Sequence, residues 1–196
     1  MISTGKKIVA IASSTGGPRA LQELIPLLPS NLNAPVVLVQ HMPAGFTEAL
    51  ANRLNEMCAI EVTEAKDGEI LKKAHVYISM GGRHLNVDQT GPVPSIRYSD
   101  EPHREGVKPC ANYMYESLID TTYDEVVCVV LTGMGADGTA GIKALMEKKK
   151  TKIIVQDENS CTVYGMPKAV LKAGIEAETG DLKQIAKQII QNVGVY

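Results

Sequence analysis

The chain alternates between short, nearly continuous apolar runs and longer segments in which apolar residues recur every three or four positions. Runs rich in Val and Ile are typical of parallel strands that are buried on both faces of a sheet. Strands are therefore predicted at residues 7–12, 35–40, 60–63, 75–79, 126–131 and 152–156.

The segments between these runs predict amphipathic helices. Proline favours the first turn of a helix, because its missing N–H would have no partner there, and Pro18, Pro109 and Pro167 stand at such positions. Asp181 suits the start of the last helix, because an acidic residue accepts hydrogen bonds from the free N–H groups of a first turn. Helices are predicted at residues 18–28, 46–57, 109–120, 139–148, 168–172 and 182–190.

The alternation of strands and helices predicts the fold class. It indicates an α/β protein with three α/β/α layers around a doubly wound, mainly parallel sheet. Residues 85–88 and 94–98 instead alternate apolar and polar positions around a turn at Gly91 and Pro92, which predicts an added β-hairpin laid over the sheet. Because the sequence contains no repeat and no linker-like segment, we expect a single domain over residues 1–196.

Composition and charge exclude several classes of protein. The net charge is −2 and the chain has no Trp, so nothing favours binding to nucleic acid or to an anionic membrane. The four cysteines lack the spacing of a zinc or thioredoxin-like site and fit a reducing compartment. No apolar run approaches the ~20 residues that span a bilayer. We therefore expect a soluble, cytoplasmic protein.

Three turns that follow predicted strands carry the candidate chemistry. Ser14 follows the first strand, His41 follows the second, and Asp137 lies in the loop after residues 126–131. Right-handed crossovers place the carboxyl ends of parallel strands on one edge, where ligands and catalytic groups collect. A serine becomes a nucleophile when a base accepts its proton, and an aspartate orients that base. The three turns therefore predict a Ser/His/Asp hydrolase, although Ser14 lacks the G-x-S-x-G turn of the α/β-hydrolases.

Each of these assignments has an alternative. Ser13 is the neighbouring candidate nucleophile, and Ser14 also suits the N-cap of the first helix. Asp157 is the rival of Asp137, which itself suits the N-cap of the helix that follows it. The other histidines are weaker candidates for the base: His75 begins a strand and is expected to be solvated, while His84 and His103 have no evident acid partner.

The glycine-rich loop at residues 133–138 also supports a different function. It matches G-x-G-x-x-G after a strand, and Asp157 follows about 20 residues later, where a ribose-binding acid would stand. On these features alone, the alternative is a dinucleotide-binding α/β module. The pattern lies late in the chain, however, and leaves Ser14 and His41 without a role.

Several sequence blocks, in the right order, resemble the catalytic domain of the chemotaxis protein-glutamate methylesterases, the CheB type. The matching blocks are Ser14-Thr15-Gly16-Gly17, Gln40-His41-Met42-Pro43, Gly45-Phe46-Thr47, Arg53-Leu54-Asn55, Leu131-Thr132-Gly133-Met134-Gly135, Asp137-Gly138 and Gly165-Met166-Pro167. The resemblance implies that Ser14 is the nucleophile, His41 the base and Asp137 its orienting acid. It further implies that backbone N–H groups at Met134 and Thr15 hold the oxyanion.

The resemblance also implies a reaction and its partners. Members of this family hydrolyse γ-glutamyl methyl esters on the helical cytoplasmic part of methyl-accepting chemotaxis receptors, and many also deamidate receptor glutamines. Both reactions pass through an acyl-enzyme, so one site serves both, and no cofactor or metal is implied. The family usually carries an N-terminal receiver domain, and none is expected within residues 1–196.

The sequence departs from the family pattern in two places. Ala12 and Ser13 stand where members often have Gly-Ala, a change that keeps small residues in the turn. Residues 108–112 resemble an Arg-Pro-Ser-x-Asp block in which Cys110 and Asn112 replace Ser and Asp. If residues 108–112 shape the substrate groove, we expect the preference of this protein for particular receptors to differ from that of other family members.

Overall fold

Seven parallel strands form the central sheet of the computed structural model, which describes residues 5–196. The strands in chain order are β1 (Lys7–Ser13), β2 (Val36–Gln40), β3 (Glu61–Glu64), β4 (His75–Ile78), β5 (His84–Asp88), β6 (Ser95–Ser99), β7 (Glu125–Val130), β8 (Lys150–Gln156) and β9 (Glu178–Gly180). The helices are α1 (Gly17–Leu24), α2 (Phe46–Met57), α3 (Ala111–Ser117), α4 (Thr139–Met146), α5 (Met166–Lys172) and α6 (Leu182–Val193). Residues 1–4, with which the predicted domain begins, lie outside the described residues.

The order of strands in the sheet is β3-β4-β2-β1-β7-β8-β9, and every neighbouring pair is parallel. β1 therefore lies between β2 and β7, at the point where the winding of the chain reverses direction. Ligand sites of open α/β sheets lie outside the carboxyl ends of the strands at such a point. The predicted three-layer, doubly wound α/β fold is confirmed.

Two apolar cores cover the two faces of the sheet, and β1 contributes alternate residues to each. Ile8, Ala10 and Ala12 face the core that includes α3, α4, α5 and the hairpin. Val9 and Ile11 face the core that includes α1, α2 and α6. Because the sheet is covered on both sides, its strands are buried along their length, which accounts for their continuous apolar character.

The predicted hairpin is confirmed as the antiparallel pair β5 and β6, which forms a separate two-stranded sheet. Its inward residues Leu85, Val87, Ile96 and Tyr98 pack in the same core as α3. The hairpin and α3 thereby help to cover the same face of the sheet.

The structure corrects several element boundaries. The first α-helix ends at Leu24 rather than residue 28 and continues as a 3₁₀ turn, because Pro26 has no N–H to donate to the preceding helical turn. The helix predicted over residues 109–120 is confined to α3. The edge strand β9 was not predicted, because its three residues, Glu178, Thr179 and Gly180, carry no apolar run and become a strand only by pairing with β8.

The expectation for His75 is wrong. Its side chain is buried in β4, stacks on Tyr77 with ring centroids 4.0 Å apart, and shares a hydrogen bond of 2.7 Å with the Thr63 hydroxyl. Burial lowers the pKa of His75 from its ordinary value. It is a core histidine with hydrogen-bond partners.

Within residues 5–196 no helix combines the length and the apolar character needed to cross a membrane.

The predicted cap of the last helix is confirmed and generates a stability prediction. Asp181 accepts a hydrogen bond of 2.8 Å from the backbone N–H of Gln184, whose side chain accepts one of 2.9 Å from the N–H of Asp181. Asp181→Ala should lower the free energy of unfolding by about 1 kcal/mol, because it removes half of this capping box. Urea unfolding would measure the loss. Glu176→Ala, which makes the same change of charge at an exposed loop position, should leave stability nearly unchanged.

Candidate active site

The turns after β1, β2 and β7 are joined by backbone hydrogen bonds at the carboxyl edge of the sheet. Ser13 is paired with Gln40 across β1 and β2, so Ser14 and His41 are the first residues beyond these two strands. The N–H of His41 donates to the carbonyl of Ser13, and the N–H of Ser14 donates to the carbonyl of Thr132, each at 3.0 Å. The structure thus brings the three predicted turns together.

The environments of Ser13 and Ser14 differ in a way that the sequence does not reveal. Ser13 is fully buried, and its hydroxyl donates to the side-chain oxygen of Gln40 at 2.6 Å. The amide nitrogen of Gln40 donates in turn to the carbonyls of Ser14 and His41, at 3.0 and 3.1 Å. Ser14 is only partly buried. The geometry favours Ser14 as the nucleophile, and Ser13 as part of the support beneath it.

Ser14 is not the N-cap of α1. That position belongs to Gly16, which has a φ of +80° and no side chain to accept the N–H groups of the helix. A side chain at residue 16 would collide with Thr162, whose Cβ lies 2.4 Å from the position that a Cβ of residue 16 would take. The close approach of this loop therefore requires glycine, and the Ser14 hydroxyl is left free of a capping role.

His41 and Asp137 form the central hydrogen bond of the site. The ring Nε2 of His41 lies 2.6 Å from Oδ2 of Asp137, and the two side chains are 10% and 2% exposed. Nδ1 is then the ring nitrogen that remains to accept a proton from a nucleophile. No hydrogen bond joins the Ser14 hydroxyl to His41 within residues 5–196, and bonds of this kind commonly tighten only when substrate is bound.

Asp137 is surrounded by hydrogen-bond donors. Its Oδ2 also accepts from the N–H of Ala111 at 2.6 Å, and its Oδ1 accepts from the N–H of Asn112 at 2.9 Å and the thiol of Cys110 at 3.0 Å. Burial raises the pKa of this carboxyl, but the hydrogen bonds from His41, Cys110 and Ala111 outweigh burial and hold the pKa below its ordinary value. Asp137 is therefore ionised and able to orient the ring and stabilise an imidazolium.

The alternative interpretation of Asp137, as the cap of the helix after it, is wrong. Gly138, with a φ of +98°, is the N-cap residue of α4 and provides no side-chain cap. The carboxylate instead accepts the N–H groups of the first two residues of α3, Ala111 and Asn112, which are more than 20 positions earlier in the chain. A negative charge is favoured at a helix start, so α3 helps to hold the acid in its charged form.

Cys110 and Asn112 contact Oδ1 of the acid, whereas His41 contacts Oδ2. Cys110 contacts Asp137 directly, and the side-chain oxygen of Asn112 accepts hydrogen bonds from the N–H groups of Gly138 and Gly141, at 3.0 and 2.8 Å. Both side chains are fully buried. The structure thus assigns these two residues to the support of the Asp137 loop. No pattern in a single sequence would have placed them there.

His84 is a further part of this support that sequence reasoning missed. Its Nδ1 accepts a hydrogen bond from the N–H of Cys110 at 3.1 Å, so its Nε2 carries the proton and donates to the carbonyl of Pro102, also at 3.1 Å. Burial lowers the pKa of His84, which keeps the ring neutral. His103, in contrast, is exposed in the loop that precedes α3.

The backbone around Ser14 supplies donors for a developing negative charge. Within residues 5–196, the N–H groups of Thr15 and Met134 donate to no other group, whereas that of Gly133 donates to the carbonyl of Val163 at 2.9 Å. A Cβ on Gly133 would lie 2.7 Å from the Cβ of Ser14, so this loop touches the serine directly. The N–H groups of Thr15 and Met134 are therefore available to donate to a developing negative charge, as the donors of an oxyanion hole do.

The glycine loop after β7 has a structural explanation that requires no nucleotide. Gly133 packs against Ser14 and the sulfur of Met166, and a Cβ on Gly138 would lie 3.2 Å from the ring of Tyr115. Asp157, the predicted ribose ligand and the rival of Asp137, accepts hydrogen bonds from the N–H and the hydroxyl of Ser160, and does not contact His41. The dinucleotide-binding alternative therefore finds no support in the geometry.

A serine, a histidine bonded to a buried aspartate, and two free N–H groups at the carboxyl edge of a parallel sheet are typical of a serine hydrolase. Comparisons identify the family. The CheB methylesterase family model matches residues 9–189. The chain belongs to the CheB methylesterase family.

Known relatives agree with this assignment. The chain is 50% identical over 188 residues to a protein-glutamate methylesterase/protein-glutamine glutaminase of Bacillus subtilis, covering 95% of this chain and 52% of the relative. It is 46% identical to the protein of the same name from Geobacillus kaustophilus, covering 95% of this chain and 54% of the relative. The chain thus spans about half the length of these curated relatives.

A solved structure confirms the likeness in three dimensions. The CheB methylesterase catalytic domain of Thermotoga maritima superposes with a TM-score of 0.91 at 37% sequence identity. The match covers 96% of this chain and 99% of that one. The fold described above is therefore that of the family's catalytic domain.

The contact between Gly133 and Ser14 predicts the effect of a minimal substitution. Gly133→Ala should lower ester hydrolysis by about 100-fold, because the new Cβ must displace the Ser14 turn and small misplacements of reacting groups cost rates of this order. Steady-state kinetics with a model ester would measure the change. Gly91→Ala is the matched control, since its new Cβ would meet only the carbonyl of Val93, at 3.9 Å. Similar rates for the two variants would contradict the prediction.

The depressed pKa of Asp137 predicts a dependence of stability on pH. A carboxyl whose folded-state pKa lies below its unfolded value stabilises the protein above the unfolded value, near 3.8, and this contribution is lost as pH falls through the folded value. Asp137→Asn removes the charge from its four donors and should cost roughly 3 kcal/mol at pH 7. Urea unfolding from pH 7 to pH 3 should show the wild type and the variant converging below pH 3.8. A constant difference would show that the pKa is not depressed.

Proposed function

We propose that this chain is the catalytic domain of a protein-glutamate methylesterase that also acts as a protein-glutamine glutaminase. In this proposal it hydrolyses γ-methyl esters of glutamate, and amides of glutamine, on methyl-accepting chemotaxis receptors. The observation that carries it is the 2.6 Å bond between His41 and the buried Asp137, at the edge where Ser14 follows β1. The names of the relatives supply the substrate class.

The proposed reaction begins with attack by the Ser14 hydroxyl oxygen on the ester carbonyl carbon, while Nδ1 of His41 takes the hydroxyl proton. Asp137 stabilises the positive charge that this places on the ring. The N–H groups of Met134 and Thr15 bind the oxyanion of the tetrahedral intermediate. When that intermediate collapses, the bond to the methoxy oxygen breaks, and His41 returns the proton to form methanol.

The second half of the proposed reaction releases glutamate. Water gives a proton to His41 and attacks the acyl carbon, and the bond to the Ser14 oxygen then breaks as His41 returns that proton to the serine. The product is a free γ-carboxylate in both reactions. With a glutamine substrate the first leaving group is ammonia instead of methanol.

Partners and location follow from the proposed substrate. The receptors' helical cytoplasmic region is the proposed binding partner, which requires the enzyme to act in the cytoplasm. A receiver domain, on the same chain or a separate one, is the proposed regulator. The chain spans about half the length of its curated relatives, so the proposal assigns only the two hydrolytic activities, and not their regulation, to residues 1–196.

The proposed function is tested by methanol release from a methylated chemoreceptor cytoplasmic fragment. The wild-type chain should release methanol, and Ser14→Ala should reduce release to background while the protein remains folded. A wild type that releases no methanol from a suitable receptor fragment would refute the proposed activity.

Ser13→Ala is the matched control for the nucleophile. It removes a buried hydroxyl bonded to Gln40 and should lower the free energy of unfolding by about 1–2 kcal/mol, but it should leave most of the activity intact. Inactivity of Ser13→Ala together with full activity of Ser14→Ala would reverse the assignment of the nucleophile.

A further inference from the structure

The thiol of Cys110 occupies an unusual position for a cysteine. It is fully buried, and its sulfur lies 3.0 Å from Oδ1 of the charged Asp137. Burial, together with the negative charge of Asp137 and the hydrogen bond to it, raises the pKa of this thiol to about 12. The thiol therefore keeps its proton near neutral pH and acts as a hydrogen-bond donor to the carboxylate.

The four donors around Asp137 divide evenly between its two oxygens. Oδ2 binds His41 and the N–H of Ala111, whereas Oδ1 binds Cys110 and the N–H of Asn112. The two N–H groups come from consecutive residues at the start of α3, and the thiol comes from the residue before them. Rotation of the carboxylate away from His41 would break the bonds on Oδ1 as well.

The thiol is itself held in place. The N–H of Cys110 donates to Nδ1 of His84 at 3.1 Å, and the opposite ring nitrogen of His84 donates to the carbonyl of Pro102. The ring of His84 packs edge to face on Tyr113, with centroids 4.7 Å apart. These contacts fix the backbone from which the thiol reaches Asp137.

We propose that Cys110 is a positioning residue for the hydrolysis, whose thiol donates to Oδ1 of Asp137 and holds the carboxylate in the rotation at which Oδ2 binds His41. This inference rests on the proposed function, because it assigns Cys110 a part in that same site. Cys110 acts through Asp137 and His41 and does not touch the reacting atoms.

Substitutions that separate hydrogen bonding from packing test this proposal. Cys110→Ser retains a donor, while Cys110→Ala and Cys110→Val remove it and bracket the volume of the thiol. Both donor-free variants should lower kcat for methanol release by about tenfold with KM unchanged, a modest loss because a thiol is a weak donor. Cys110→Ser should retain a kcat within about twofold of the wild type. Cys128→Ala removes a buried thiol of β7 that forms no hydrogen bond to a carboxylate among residues 5–196, and should leave kcat unchanged.

A second measurement remains informative if the wild type releases no methanol. The ¹³C chemical shift of the Asp137 carboxyl should titrate at a higher pH in Cys110→Ala and Cys110→Val than in the wild type, and Cys110→Ser should restore it. An inactive wild type would then refute the proposed function, while the titration would still show whether the thiol donates to the carboxylate.

Three results would overturn the proposal. The first is a kcat of the donor-free variants equal to that of the wild type. The second is a loss in Cys110→Ser as large as that in Cys110→Ala, which would assign the effect to packing. The third is an unchanged titration of Asp137 in both donor-free variants. Should Cys110→Ala fail to fold, the comparison of Cys110→Val with Cys110→Ser decides between these outcomes.

Discussion

Asp137 keeps a negative charge with only 2% of its side chain exposed, and the rest of the site is arranged around that charge. Transfer of a carboxylate from water into a protein interior costs several kcal/mol unless hydrogen bonds replace the lost solvation. Here Cys110, Ala111 and Asn112 supply donors from one side and His41 supplies the fourth from the other. The acid is therefore stable in its charged form where α3 meets the carboxyl edge of the sheet.

Close approach of backbone segments is the second constraint on the site. A Cβ on Gly17 would lie 1.8 Å from the side-chain oxygen of Gln40, the same oxygen that accepts the Ser13 hydroxyl. A Cβ on Gly133 would overlap Ser14 and Met166. The absence of a side chain at Gly17 leaves room for the Gln40 oxygen that binds Ser13, and its absence at Gly133 lets the loop after β7 approach Ser14. Among the glycines that resemble a nucleotide-binding fingerprint in the sequence, Gly133 thus serves the packing between turns, while Gly135 and Gly138 adopt positive φ angles of +88° and +98°.

The sequence predicts the sheet and the position of the three turns, because apolar runs and their order determine which strand ends share an edge. It leaves Ser13 and Ser14 undecided, since only the structure shows that the Ser13 hydroxyl is buried against Gln40. It also leaves the support of Asp137 unpredicted. Cys110 contacts Asp137, Asn112 contacts Gly138 in the same loop, and His84 contacts Cys110. These contacts join residues 26 or 27 positions apart, and neither periodicity nor local propensity reports them. β9 escapes prediction for the same reason, since its pairing is entirely non-local.

The site therefore joins two layers of the fold. Ser14 and His41 belong to the sheet edge, where the amide of Gln40 donates to both of their carbonyls. Asp137 is held by α3, in the layer that covers one face. Tyr115 connects the layers, because it lies in α3 and is fully buried. Its hydroxyl shares its one proton between the carbonyl of Val129 in β7, at 3.0 Å, and that of Ala10 in β1, at 3.3 Å. Burial raises the pKa of Tyr115 well above its ordinary value, so this hydroxyl keeps its proton and the anchor persists above neutral pH as well. The strands that end beside Ser14 and the Asp137 loop thus also fix the helix that holds the acid, so that the 2.6 Å bond between His41 and Asp137 depends on the packing of α3 against the sheet.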